Sequence, residues 1–130
     1  VLDNILLPLR FAPKRRGSCH DAPRQAVALC RALGLPDGIE ASKASNLSVG
    51  QQQRVAVARA LIGQPSILIA DEPTSSLDET SQANFLDLLF EQVRAQDSTL
   101  LMVSHDPRLS EKFDRVVHMS DIVTVERCKE

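Results

Sequence analysis

Apolar residues recur at helical spacing at the start of the chain, in Leu2, Ile5, Leu6 and Leu9, and predict a short amphipathic helix over residues 1–11 whose regularity Pro8 limits. Residues 12–21 carry no such period and read as a loop. Asp21 stands where an N-cap belongs, ahead of a helix that runs to Leu33, and Gly34 followed by Pro36 supplies the stop. Residues 35–46 read as a second loop. From Ser48 the pattern changes: Val, Ala, Leu and Ile occupy nearly every face after one polar turn, as far as Ile62, with Gly63 and Pro65 behind. Such a helix is predicted to be buried.

The second half of the chain alternates strands and helices. Ser66 to Ala70 is an apolar run between Pro65 and Pro73, which predicts a short strand covered on both faces. A helix over Glu79 to Gln96 follows, with Leu86, Leu89, Phe90 and Val93 on one stripe. Thr99 to Ser104 reads as a second buried strand, and Arg115 to Met119 with Ile122 to Val125 as a final hairpin around Ser120 and Asp121. Strand, helix, strand with a crossover of this length implies an α/β architecture with a parallel sheet. Such sheets receive ligands at the carboxyl ends of their strands.

Length and composition narrow the picture. A chain of 130 residues is one domain at most, or a piece of a larger one, and 43% hydrophobic with 25% charged residues excludes the disordered and collagen-like classes. The longest strictly aliphatic runs, Ile67–Ala70 and Leu100–Val103, fall far short of the roughly 20 residues that span a bilayer. The opening, with Val1 and Asp3, has no basic stretch leading into an apolar core, so no secretory leader is expected. Cys19, Cys30 and Cys128 are odd in number and form no CxxC pair, which speaks against a disulfide framework or a zinc site and for a reducing cytoplasm. Charge is uneven, +3 over residues 1–46 and −5 over 47–130. The basic cluster of Arg10, Lys14, Arg15, Arg16, Arg24 and Arg31 reads as a solvated face; with no Trp or Tyr and a net charge of −2, a nucleic-acid partner is not expected.

Candidate chemistry gathers where the strands end. The first strand closes in Asp71-Glu72-Pro73, two carboxylates at the ligand-receiving rim, with Pro73 restricting the direction of Glu72. Asp71 suits a hydrated Mg²⁺, and Glu72 a water that it orients or deprotonates. The second strand closes in Ser104-His105-Asp106, which sets His105 on the same rim, where it could bond a phosphate oxygen. Three consecutive residues cannot converge as a catalytic triad. Leu47-Ser48-Val49-Gly50-Gln51 opens the buried helix: a hydroxyl and a glycine there suit a phosphate, while the S-x-x-Q spacing of Ser48 and Gln51 equally suits a capping box that would use the hydroxyl internally.

Together these motifs resemble the ATP-binding subunits of ABC transporters. Leu47 to Leu61, LSVGQQQRVAVARAL, is similar to the family signature and its helix, with Val49 where glycine is commonest; Ile67 to Glu72, ILIADE, is similar to Walker B. Ser75-Ser76-Leu77-Asp78 resembles the D-loop, Val103-Ser104-His105-Asp106 the switch histidine, and VLDNILLPLRF the segment after the Q-loop in lipoprotein-release and macrolide-export subunits. The resemblance implies an incomplete P-loop NTPase core of the ABC type, with a helical subdomain over residues 1–62 and the C-terminal part of the catalytic core over 63–130. It implies ATP and Mg²⁺ as cofactors, Asp71 on the metal, Glu72 and His105 as catalytic groups, and Ser48, Gly50 and Gln51 reaching phosphates held by a second ATP-binding subunit, with Asp78 linking the two sites. A transmembrane permease subunit is the implied partner, and the inner face of the cell membrane the implied location.

One element of the family pattern is absent from the sequence. No glycine is followed by lysine, so the GxxxxGK[ST] loop that cradles nucleotide phosphates does not occur in these residues. The chain by itself is therefore expected to be inactive toward ATP and to self-associate through an uncovered sheet. Two other readings compete: a DNA-repair or chromosome-structure ATPase, which should flank its signature with charged heptads that residues 1–46 lack, and a non-catalytic module that docks on a permease or a partner ATPase.

Overall fold

The computed structural model describes residues 1–123 and begins with α1 (Leu2–Leu6), α2 (Pro8–Phe11) and α3 (Pro13–Gly17). Pro8 divides the predicted first helix, because a proline has no N–H to give an ongoing helix but suits the first position of a new one. Pro13 opens α3 in the same way, so the loop predicted over 12–21 contains a helical turn. Asp21 caps α4 (Ala22–Ala32), its carboxylate accepting from the Arg24 amide at 3.1 Å. The helix stops at Gly34, φ 68°, where the Gly34 amide bonds the Arg31 carbonyl and the Leu35 amide the Cys30 carbonyl, both at 2.9 Å. Those paired bonds form a Schellman stop.

Two short 3₁₀ turns, Ile39–Ala41 and Ala44–Asn46, fill the second predicted loop and lead to α5 (Val49–Leu61), then β1 (Ile67–Asp71), α6 (Glu79–Ala95) and β2 (Thr99–Val103). The far end of α5 is held from a distance. The Arg15 guanidinium donates to the carbonyls of Ala60 at 2.7 Å and Ile62 at 3.1 Å, completing the C-terminus of that helix. Arg15 therefore leaves the solvated basic face proposed for it, and burial lowers its pKa.

β1 and β2 pair in parallel, from Ile67 with Thr99 to Asp71 with Val103. Residues Leu68, Leu100 and Met102 face a core built from Ile5, Leu33, Leu61, Ile62, Phe85, Leu86 and Leu89. Phe90 of α6 meets Phe113 edge to face, with ring centroids 5.3 Å apart. The opposite face of the sheet is open: Ile67 is 60%, Ile69 69%, Leu101 56% and Val103 47% exposed. Double-sided burial was predicted from runs that lack polar alternation, and only one of the two faces has its cover among the described residues. The predicted hairpin is also corrected, since α7 (Met119–Ile122) is a helical turn after an irregular segment; Thr124 and Val125 lie outside the described residues. No helix of the described residues is long and apolar enough to cross a membrane.

Two expectations follow from this packing. Gly63 has φ 75°, and a Cβ there would stand 2.8 Å from the Arg15 carbonyl oxygen and 3.0 Å from Leu9. Gly63→Ala should cost about 1–3 kcal/mol in urea unfolding. The open apolar face should bind an apolar dye and drive association that rises with concentration, and Ile69→Lys with Leu101→Lys should reduce both. A monomer at all micromolar concentrations with no dye binding would contradict this.

Candidate functional site

The site starts from strand register. Because Asp71 pairs with Val103, the next residues of both strands emerge side by side, and the Glu72 amide continues the ladder by bonding the Val103 carbonyl at 2.9 Å. Glu72 itself has φ 44°, a left-handed conformation that costs a non-glycine residue free energy and turns the chain off the strand axis. Pro73 excludes the right-handed helical region there, as the sequence indicates, and the strain falls on the residue that carries the candidate base.

The Glu72 carboxylate is held by the second strand's end. Its Oε1 accepts from the His105 amide at 2.9 Å and from His105 Nδ1 at 2.7 Å, and the Ser104 hydroxyl lies 3.5 Å from Oε2. The imidazole is 82% exposed and Glu72 32%, so the pair lies at the surface of the rim with its chemistry open to solvent. The hydrogen bond to Glu72, and then its charge, raise the His105 pKa above the ordinary 6.5. Asp106, next in sequence, caps the 3₁₀ turn Pro107–Lys112 through the Arg108 amide at 3.0 Å, and the Arg108 guanidinium holds its carboxyl well below the usual carboxylate range.

Ser48, Gly50 and Gln51 belong to a second group. The Gln51 amide bonds Ser48 Oγ at 3.3 Å and the Ser48 amide bonds Gln51 Oε1 at 3.0 Å, so the capping box is formed and the hydroxyl serves its own helix. This turn borders a cavity of about 290 Å³ that Gly34, Arg54, Leu77 and Phe85 also line. Gln53 ties α5 to the loop after β1 by donating to Ser76 Oγ at 3.2 Å. Asp78 caps α6, accepting from the Ser81 amide at 3.0 Å and its hydroxyl at 2.6 Å, and these bonds hold its pKa down. The structure thus joins Glu72 with His105, and Ser48, Gly50 and Gln51 with the loop that ends in Asp78. The backbone links the two groups, since the Ser75 amide donates to the Glu72 carbonyl at 3.2 Å.

Fit to a metal rests on Asp71. Its exposed carboxylate makes no hydrogen bond or ion pair among the described residues, and no cluster of three or more His, Cys, Asp or Glu there could enclose an ion. A single carboxylate suits Mg²⁺, which keeps waters and phosphate oxygens as its other ligands. Sequence reasoning missed Ser104 and Arg108, whose contacts with Glu72 and Glu79 join residues far apart in sequence, while the Asp-x-x-Ser spacing of Asp78 and Ser81 carried a local signal.

A two-stranded parallel sheet with a carboxylate pair and a histidine at its carboxyl rim, and a capped helix alongside, is the class of arrangement found in an ATP-binding cassette. Residues 3–75, more than half of the chain, match the ABC transporter family model, and the chain belongs to that family. It is 45% identical over 121 residues to the lipoprotein-releasing system ATP-binding protein LolD of Hydrogenovibrio crunogenus, covering 93% of this chain and 51% of that protein. It is 40% identical to the macrolide export ATP-binding/permease protein MacB of Mannheimia succiniciproducens, covering 92% of this chain and 18% of that protein. The fold is similar to the dimeric structure of MJ0796, a bacterial ABC transporter cassette, with a TM-score of 0.65, 32% identity, and 85% of this chain against 47% of that one. The chain spans about half the length of the LolD relatives it matches. These relatives agree with the hint carried by residues 1–11.

The Glu72–His105 contact makes a pH-dependent contribution of definite sign. A raised folded pKa means that the contact steadies the rim below the unfolded value of 6.5 and is lost as pH rises through the folded midpoint. An NMR titration should place the His105 midpoint above 6.5, and Glu72→Gln should return it toward that value.

Proposed function

We propose that this chain is the trailing part of an ABC transporter ATPase subunit, and that the complete protein hydrolyses Mg-ATP between two head-to-tail copies to drive a membrane permease. The observation that supports this most directly is the Glu72 carboxylate, fixed by the backbone and ring of His105 one residue beyond Asp71. Bound Mg-ATP supplies the electrophilic phosphorus and the charge that the metal neutralises.

Each residue then has a task. Glu72 accepts a hydrogen bond from a water and takes its proton, a role that needs a carboxylate held in one orientation. His105 holds that orientation through Nδ1 and can turn its exposed edge toward a phosphate oxygen. Asp71 would hold the metal. Ser48, Gly50 and Gln51 present the N-terminus of α5 to phosphates gripped by the other copy, once the Ser48 hydroxyl leaves its capping bond. Asp78, beside them, relates one site to the other. The protein would act at the inner face of the cell membrane, against a permease subunit.

Nothing in these residues supplies the phosphate-gripping loop, so the 130-residue chain alone should show no ATP turnover. A protein in which it is preceded by a Walker A segment, the GxxxxGK[ST] loop, should turn over. In that protein Glu72→Gln should lower the rate at least about 100-fold while ATP binding persists, the loss appropriate to a general base. Turnover by the short chain that Glu72→Gln removes would sink the reading.

A further inference from the structure

Behind the rim, the loops that follow the two strands are tied to α6 by one side chain. Gln82 lies one turn into α6, and its Nε2 donates to Thr74 Oγ1 at 3.1 Å and to Asp106 Oδ2 at 3.3 Å. Thr74, two residues after Glu72, is 5% exposed, and the Asp106 side chain, next to His105, is 14% exposed. Ser104 Oγ accepts from the Asp106 amide at 3.1 Å and faces Glu72 at 3.5 Å, so the link reaches both members of the Glu72–His105 pair.

A second connection is weaker. Arg108 bridges Asp106 and Glu79, with its guanidinium 2.6 Å from Glu79 Oε1, but Arg108 is 62% and Glu79 83% exposed. Exposed ion pairs of this kind contribute little. The half-buried Gln82 amide, with one hydrogen for each acceptor, is the stronger tie.

We propose that Gln82 is a positioning residue: by joining the loops after β1 and β2 to the first turns of α6, it holds Glu72 against His105 and makes their orientation follow the start of α6, where Asp78 stands. Its consequence for turnover rests on the ATPase reading above, while its geometric claim does not. Alanine cannot make either bond. Glutamate would set an acceptor against Asp106.

The test follows the His105 ring by NMR titration in the 130-residue chain, with Glu72→Gln as the reference for complete loss of the contact. Gln82→Ala should move the midpoint at least half as far as Glu72→Gln does, in the same direction. A folded Gln82→Ala chain that titrates like the unsubstituted one overturns the proposal. Should Gln82→Ala not fold, Thr74→Val removes one acceptor and should give a smaller shift of the same sign; no shift overturns the proposal. In the longer protein carrying Walker A, Gln82→Ala should lower kcat about tenfold with KM for ATP unchanged, a loss of about 1.4 kcal/mol in transition-state stabilisation. If Glu72→Gln leaves turnover intact there, the ATPase reading fails while the titration still decides the role of Gln82.

Discussion

Parallel pairing of β1 with β2 in a single register is the constraint on which the rim depends. Every Cα of Ile67 to Asp71 faces its partner in Thr99 to Val103, so the two chains leave the sheet at the same height. A slip of β2 by one residue would turn Leu100 and Met102 away from the core and carry the chemistry of one loop past that of the other. Apolar burial on the closed face therefore fixes a polar contact at the strand ends. The interval between the strands is spanned by α6, whose Phe85, Leu86, Leu89 and Val93 are buried and whose start and stop are both specified by hydrogen bonds.

Helix termination carries much of the precision. Asp78 begins α6, and Asp97, with φ 52°, ends it; the Asp97 amide bonds Arg94 at 3.1 Å and the Ser98 amide bonds Val93 at 3.0 Å. An aspartate tolerates that left-handed position where most side chains do not. These ends deliver β2 beside β1 without slack. The same economy holds at α5, whose first turn is closed by Ser48 and Gln51 and whose last carbonyls are taken by Arg15 from the far side of the chain.

The elements built on local signals were legible in the sequence. Asp21 and Gly34 bounded α4, the S-x-x-Q spacing marked α5, and two apolar runs around a helix of suitable length marked the parallel pair. Asp71, Glu72 and His105 were legible as rim residues because the strand ends were. Burial of the sheet was not, since a run such as Ile67 to Ala70 encodes an appetite for cover on both faces and says nothing of what supplies it. The hairpin failed for a related reason: Val116 and Val117 have strand propensity without a partner strand among the described residues, and propensity alone does not make a sheet. Gln82 left no trace, because a glutamine on the polar side of a helix looks the same whether it faces solvent or two loops.

The register that sets Glu72 against His105 is read directly by a scalar coupling measured through a hydrogen bond of the ladder. It should connect the Glu72 amide nitrogen with the Val103 carbonyl carbon, the bond that extends the ladder at 2.9 Å past the last strand pair. A coupling from Glu72 to the carbonyl of Met102 or of Ser104 instead would mean a slipped sheet in which Glu72 does not meet His105.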